Sequence, residues 1–181
     1  MLDLIIRNAR IVGETETVDL GCLDGRITER TGRLEGPARK EIDAGGHLVS
    51  PPFVDSHFHM DSTLTYGTPR YNESGTLYEG ISLWGEIKPG LTVEDIEQRA
   101  LLLCRWAIAR GSLAIRSHVD IGDPGLTAVH ALLEVRKKVS PWLDLQLVAF
   151  PQDGYFRDPK AVDLLNRALD LGVDIVGGIP H

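Results

Sequence analysis

Leu113-Ala114-Ile115-Arg116-Ser117-His118-Val119-Asp120-Ile121 is followed by a second apolar run, Leu143 to Phe150, and by a third, Val173 to Ile179. Between them, Thr127 to Val139 and Asp158 to Leu171 read as helices, the latter with Pro159 in its first turn and Gly172 just past its end. The runs start about 30 residues apart, the length of one strand-helix unit. Such alternation predicts a parallel sheet and an α/β fold. In barrels of this kind the chemistry collects at the carboxyl ends of the strands.

Side chains alternate along a strand, so Arg116, His118 and Asp120 share one face of the first run while Ile115, Val119 and Ile121 share the other. The apolar face packs on helices and the polar face looks into the barrel. Buried charges need partners either way, which leaves these three as pocket members or as a structural ion network. At the end of the second run, Gln152 presents a donor and an acceptor side by side, matching the amide-like edge of a pyrimidine or triazine. The alternative is a strand-end glutamine bonded to a neighbouring loop. The third run leads to His181, a further pocket candidate.

Upstream, Thr92-Val93-Glu94-Asp95 offers an N-cap, and Ile96, Ala100, Leu103 and Ala107 recur at helical spacing up to Gly111. Before it lies a polar and aromatic insertion, Ser62 to Gly90, which reads as an irregular lid or pocket wall, with a disordered surface loop as the alternative. Four large aromatics, Tyr66, Tyr71, Tyr78 and Trp84, argue against disorder. The stretch Leu48 to Asp61 reads as a strand started by a Gly/Pro turn region, and it carries His57 and His59 on one face. Two adjacent imidazoles suit a divalent metal, with Asp55 and Asp61 as acceptors orienting the rings. Two ordinary strand-end histidines are the other reading, and His47 and His130 are taken as surface or turn residues. Residues 1 to 50 read as short strands, Leu4 to Arg7, Arg10 to Gly13, Val18 to Leu23 and Arg26 to Arg30, with a hairpin at Asp24-Gly25.

A formal net charge of -7 over 181 residues argues against a nucleic acid polymer or an anionic membrane as partner. Small neutral or weakly polar ligands remain. Cys22 and Cys104 form no paired-cysteine metal pattern, so free thiols in a reducing compartment are expected. Met1 to Arg7 fits neither a signal peptide nor a membrane span, and a cytoplasmic location follows as the expectation.

Five motifs stand in order: His57-Phe58-His59-Met60-Asp61-Ser62-Thr63, Ser74-Gly75-Thr76-Leu77-Tyr78-Glu79-Gly80, Ser117-His118-Val119-Asp120, Leu145 to Gly154, and Gly177-Gly178-Ile179-Pro180-His181. Together they resemble the cytosine deaminase branch of the amidohydrolase superfamily. The resemblance implies a (β/α)8 TIM-type barrel with a small β-sandwich. Residues 1–50 would supply sandwich strands, and residues 51–181 the first four barrel strands. It also implies one divalent metal, Fe2+ or Zn2+, with His57 and His59 as ligands. Gln152 would bind the substrate and Leu77 would line its pocket.

The implied reaction is hydrolytic deamination of cytosine or a related free base, with ammonia released. A catalytic glutamate and the remaining metal ligands would come from later strands, so no catalytic residue is assigned within this chain. Absence of lysine from Val173 to His181 speaks against relatives that bridge two metals with a carboxylated lysine there. Pro52 departs from the glycine common at that place in the wider superfamily. A complete barrel takes about 250 residues. The chain is therefore expected to hold only part of the active site, to be inactive in isolation, and to bind metal weakly through two histidines. An aminohydrolase on a triazine or cyclic amide, and a truncated non-catalytic binding module, are the competing readings; a homo-oligomer stays open.

Overall fold

The computed structural model describes residues 1–179 and divides the chain into two compact units, Met1–Pro51 and Pro52–His181.

The first unit is a four-stranded sheet of β1 (Leu2–Arg10), β2 (Thr17–Leu23), β3 (Arg26–Thr31) and β4 (Ala38–Asp43), in the order β3-β2-β1-β4. Asp24 and Gly25, both at positive φ, turn β2 back on β3 as the dipeptide predicts. The expected break before Arg10 is instead a register shift between Ile6 and Ala9 inside β1, where Asn8 takes φ 51°. Arg10 to Gly13 is therefore not a strand of its own. β4 escaped the pattern because Arg39-Lys40-Glu41 leaves little apolar signal; as a mostly exposed edge it pairs in parallel with β1.

Buried Asp19 ties this sheet together. Its carboxylate accepts the Asn8 N–H at 3.0 Å, the Leu34 N–H at 3.0 Å and the Arg7 guanidinium at 2.7 Å. Burial alone would raise this carboxyl, but the Leu34 N–H, Arg7 and the Asn8 N–H outweigh it and hold it below its ordinary value. A depressed folded pKa means stability that is present above the unfolded carboxylate pKa of about 3.9 and lost as pH falls through the folded value. Asp19→Ala orphans two backbone donors at about 1–3 kcal/mol each. It is expected to speed amide exchange across β1 and β2 at neutral pH, and acidification of the unsubstituted protein below the carboxylate range should reproduce the effect. Unchanged exchange in the variant contradicts the assignment.

The second unit carries β5 (Phe53–Phe58), β6 (Ser112–Asp120), β7 (Asp144–Phe150) and β8 (Ile175–Val176), all parallel and in sequence order. Helices α2 (Val93–Ala109), α3 (Thr127–Val139) and α4 (Ala161–Asp170) follow the strands as the alternation predicts. Ile115, Val119, Leu145, Leu147 and Ala149 form a core with Ile96, Ala100, Cys104, Leu132, Val135 and Leu164 of those helices. This is the first half of a (β/α)8 barrel, preceded by the strands of the small β unit. The Thr92 hydroxyl accepts the Asp95 N–H at 3.1 Å and starts α2 where the N-cap pattern placed it.

Three expectations for this unit are corrected. The insertion is not wholly irregular: α1 (Leu77–Ile87) occupies it, capped by Thr76, whose hydroxyl accepts the Glu79 N–H at 3.3 Å. Thr76-x-x-Glu79 has the sequence pattern of a capping box, although Glu79 accepts from Ser74 rather than from the Thr76 N–H, and that signal could have found the helix. α4 begins at Ala161, after Pro159 rather than around it. β8 is two residues long instead of Val173 to Ile179, although the flanking Asp174 and Gly177 N–H groups also donate to the Leu147 and Ala149 carbonyls of β7, at 3.1 and 2.8 Å. Among the described residues, no helix is long and apolar enough to cross a membrane.

Candidate metal and substrate site

Parallel pairing of β5 with β6, with Phe58 opposite Ser117, brings the ends of these strands together. His57 is the next-to-last residue of β5, His59 lies one residue beyond it, and His118 two residues before the end of β6. Their ring centroids are 4.0 Å (His57–His118), 5.4 Å (His57–His59) and 5.5 Å (His59–His118) apart. One ring nitrogen from each lies within 4.8 Å of the others. Phe150, at the end of β7, sets its ring edge-on to His59 and His118. The pair expected from sequence is thus a group of three.

This group suits a divalent ion on two grounds. Burial, then the neighbouring imidazoles, lowers the pKa of both His59 and His118, which favours the neutral form that carries a free lone pair. In addition, His118 Nδ1 is buried without a hydrogen-bond partner among the described residues, an arrangement that ordinarily calls for a ligand or a water.

Neither flanking aspartate orients a ring. Asp55 accepts the His57 backbone N–H at 3.2 Å. Asp61, 1% exposed, points the other way, accepting the Asp120 N–H at 2.8 Å and the Ser62 N–H at 2.9 Å. Burial pushes its carboxyl up to about 6. Alternation cannot be extended past Phe58, where the strand ends, so the direction of Asp61 was not legible. What Asp61 does is fix the segment after β5, together with two contacts that sequence reasoning missed. Ser117 Oγ accepts the Met60 N–H at 3.0 Å, and Arg99 of α2 donates to the Asp61 and Thr63 carbonyls.

The three inward residues of β6 part company. His118 joins the imidazoles; Arg116 donates to Gln146 Oε1 at 2.7 Å; Asp120 does not line the substrate-sized cavity but accepts from Trp84 Nε1 at 2.8 Å and Lys88 Nζ at 2.9 Å. That cavity, of about 370 Å³, is walled by α1 and the preceding loop, and His59, Leu77, Ile81, Trp84 and Gln152 line it. Leu77 stands at its rim, 78% exposed. His59 alone belongs to both the imidazole group and the cavity. His47 hydrogen-bonds within its own turn, and His130 is exposed on α3. His181 lies outside the described residues.

Comparison with known proteins accords with this arrangement. A profile described as amidohydrolase family matches residues 40–181. N-isopropylammelide isopropyl amidohydrolase of Pseudomonas sp. (strain ADP) is 35% identical over 186 residues, covering 98% of this chain and 45% of that protein. Among solved structures, 5-methylcytosine deaminase from Klebsiella pneumoniae superposes with a TM-score of 0.91 at 43% identity, over 98% of this chain and 44% of that one. N-isopropylammelide isopropylaminohydrolase from Burkholderia multivorans gives 0.81 at 30% identity, with 98% and 45% covered. The chain spans less than half the length of these relatives. Two independent lines, the profile and the relatives, lead to one conclusion: this chain belongs to the amidohydrolase family.

Proposed function

We propose that the complete protein is a metal-dependent hydrolytic deaminase of cytosine or a related free base. Family membership supports a hydrolase acting on carbon-nitrogen bonds; bonds other than peptide bonds, the substrate and the metal are the finer reading. The observation that carries it is His59, shared between a group of three imidazoles and a cavity fitted with a carboxamide.

His57 and His59 would hold one Fe2+ or Zn2+, with His118 as the third nitrogen within reach. Such an ion, when bound, activates water for attack on a carbon-nitrogen centre near neutral pH. The residues of this chain supply the rest of the half-site. Trp84, Ile81 and Leu83 offer apolar surface to a flat ring, and Gln152 offers the donor and acceptor that orient its amide-like edge. Arg70 and Asn72, though on the cavity wall, are committed to Glu79 and Glu86 and to Thr76 and Gly75. Gln152 is thus the group assigned to reading the base. Proton delivery to the leaving ammonia falls to a glutamate that the resemblance places on a later strand.

A triazine aminohydrolase is the second reading, favoured by the two isopropylammelide-processing relatives. The two separate by product. The complete protein loaded with Fe2+ or Zn2+ is expected to release ammonia from cytosine, 5-methylcytosine or isocytosine in preference to isopropylamine from isopropylammelide. Preferential amine release transfers the assignment to the triazine. No release from any of them, with metal bound, leaves the chain as a binding module.

A further inference from the structure

We propose that Lys88 and Asp120 form a latch that positions α1 against the loop carrying Gln152, and so sets how tightly the cavity holds its base. The proposal rests on the reading of this cavity as the substrate site. Asp120, the last residue of β6, is 3% exposed. One oxygen takes the Trp84 indole N–H and the Lys88 ammonium, and the other takes the Gly122 N–H at 2.7 Å. The same ammonium reaches Asp153, the neighbour of Gln152, at 3.5 Å. Three segments thus meet at the Lys88 ammonium: the end of α1, which carries it, the end of β6 through Asp120 and the loop after β7 through Asp153.

Apart from the Arg70 pairs to Glu79 and Glu86 and the Ser74 bonds to Glu79, which tie it to its own preceding loop, α1 has little else to hold it. Leu83 is its one buried residue, and Leu77 and Tyr78 at its start are largely exposed. With so small an apolar anchor, its placement depends on polar contacts, and those made by Trp84 and by Lys88, just past its end, converge on a desolvated charge, where such bonds are strongest. Trp84 is also a wall of the cavity, so whatever moves α1 moves the surface on which a ring would lie. Neither Lys88 nor Asp120 lines that cavity; they act through Trp84 and through Asp153, next to Gln152, as positioning residues.

The test is Lys88→Met in the complete protein, a partly exposed site where the apolar stem is preserved. The KM for the preferred base is expected to rise about tenfold, the effect of losing about 1.4 kcal/mol of positioning, with kcat within about threefold and metal content unchanged. Lys88→Arg, which keeps the charge, should restore most of the loss. Chymotrypsin should cut faster at Tyr66, Tyr71 and Tyr78 in the methionine variant, because a loosened α1 opens more often. This second readout does not depend on turnover: if the unsubstituted protein deaminates nothing, the functional reading fails while faster cleavage still upholds the latch. Unchanged cleavage overturns it, and so does an unchanged KM in an enzyme that does turn over.

Discussion

His57→Ala in the complete protein is expected to remove most of the bound divalent metal and, with it, turnover. The loss should exceed the 10- to 100-fold that removing a mere outer partner of a metal ligand typically costs. His57 is exposed among the described residues and lies outside the buried apolar cluster, so its side chain contributes little to that core, and the variant should fold. It stacks on His118 at 4.0 Å and stands 5.4 Å from His59, so its removal leaves two rings too few to close a site. Metal content after dialysis, read against an unchanged circular dichroism spectrum, checks this. Full stoichiometric metal in the variant would overturn the assignment of the imidazole group.

Asp61→Ala is expected to act on stability first and on metal second. The carboxylate satisfies the buried Asp120 N–H and the Ser62 N–H, and orphaning them costs about 2–6 kcal/mol at about 1–3 kcal/mol per donor. It is also the tie between the end of β6 and the segment that carries His59, so loosening it should weaken metal retention even where the protein stays folded. Urea unfolding monitored by tryptophan fluorescence reads the first effect, and metal retention at low urea the second. Asp61→Asn keeps one acceptor oxygen and should fall between. If the alanine variant matched the parent in both, Asp61 would be no anchor.

These two aspartate and histidine predictions divide along the line between what local sequence carries and what it does not. His57 and His59 could be paired from the strand alternation alone, since two residues on one face need only a period of two. Thr92 with Asp95, and Asp24 with Gly25, were equally legible, because a cap and a hairpin turn are written within four residues. α1 was written just as locally, in Thr76-x-x-Glu79, yet the glycines and tyrosines around it hid the pattern. Asp61 was misjudged because it lies beyond the end of β5, where alternation has no authority. Asp120 could be given two roles and no choice between them, since its partners Trp84 and Lys88 lie 36 and 32 residues away on an element that had not been recognised.

By itself, then, the sequence determined the β/α alternation, the parallel sheet it demands and the two histidines at the end of one strand. Each of these follows from periodicities and end signals that act over a few neighbouring residues. Only the tertiary structure decided that His118 completes a group of three, that Asp61 turns from the rings toward β6, and that Asp120 holds α1 over the cavity. Those outcomes depend on the register of β5 against β6 and on where an inserted helix comes to rest. Both are set by packing and hydrogen bonds between residues dozens of positions apart, for which no local pattern stands in.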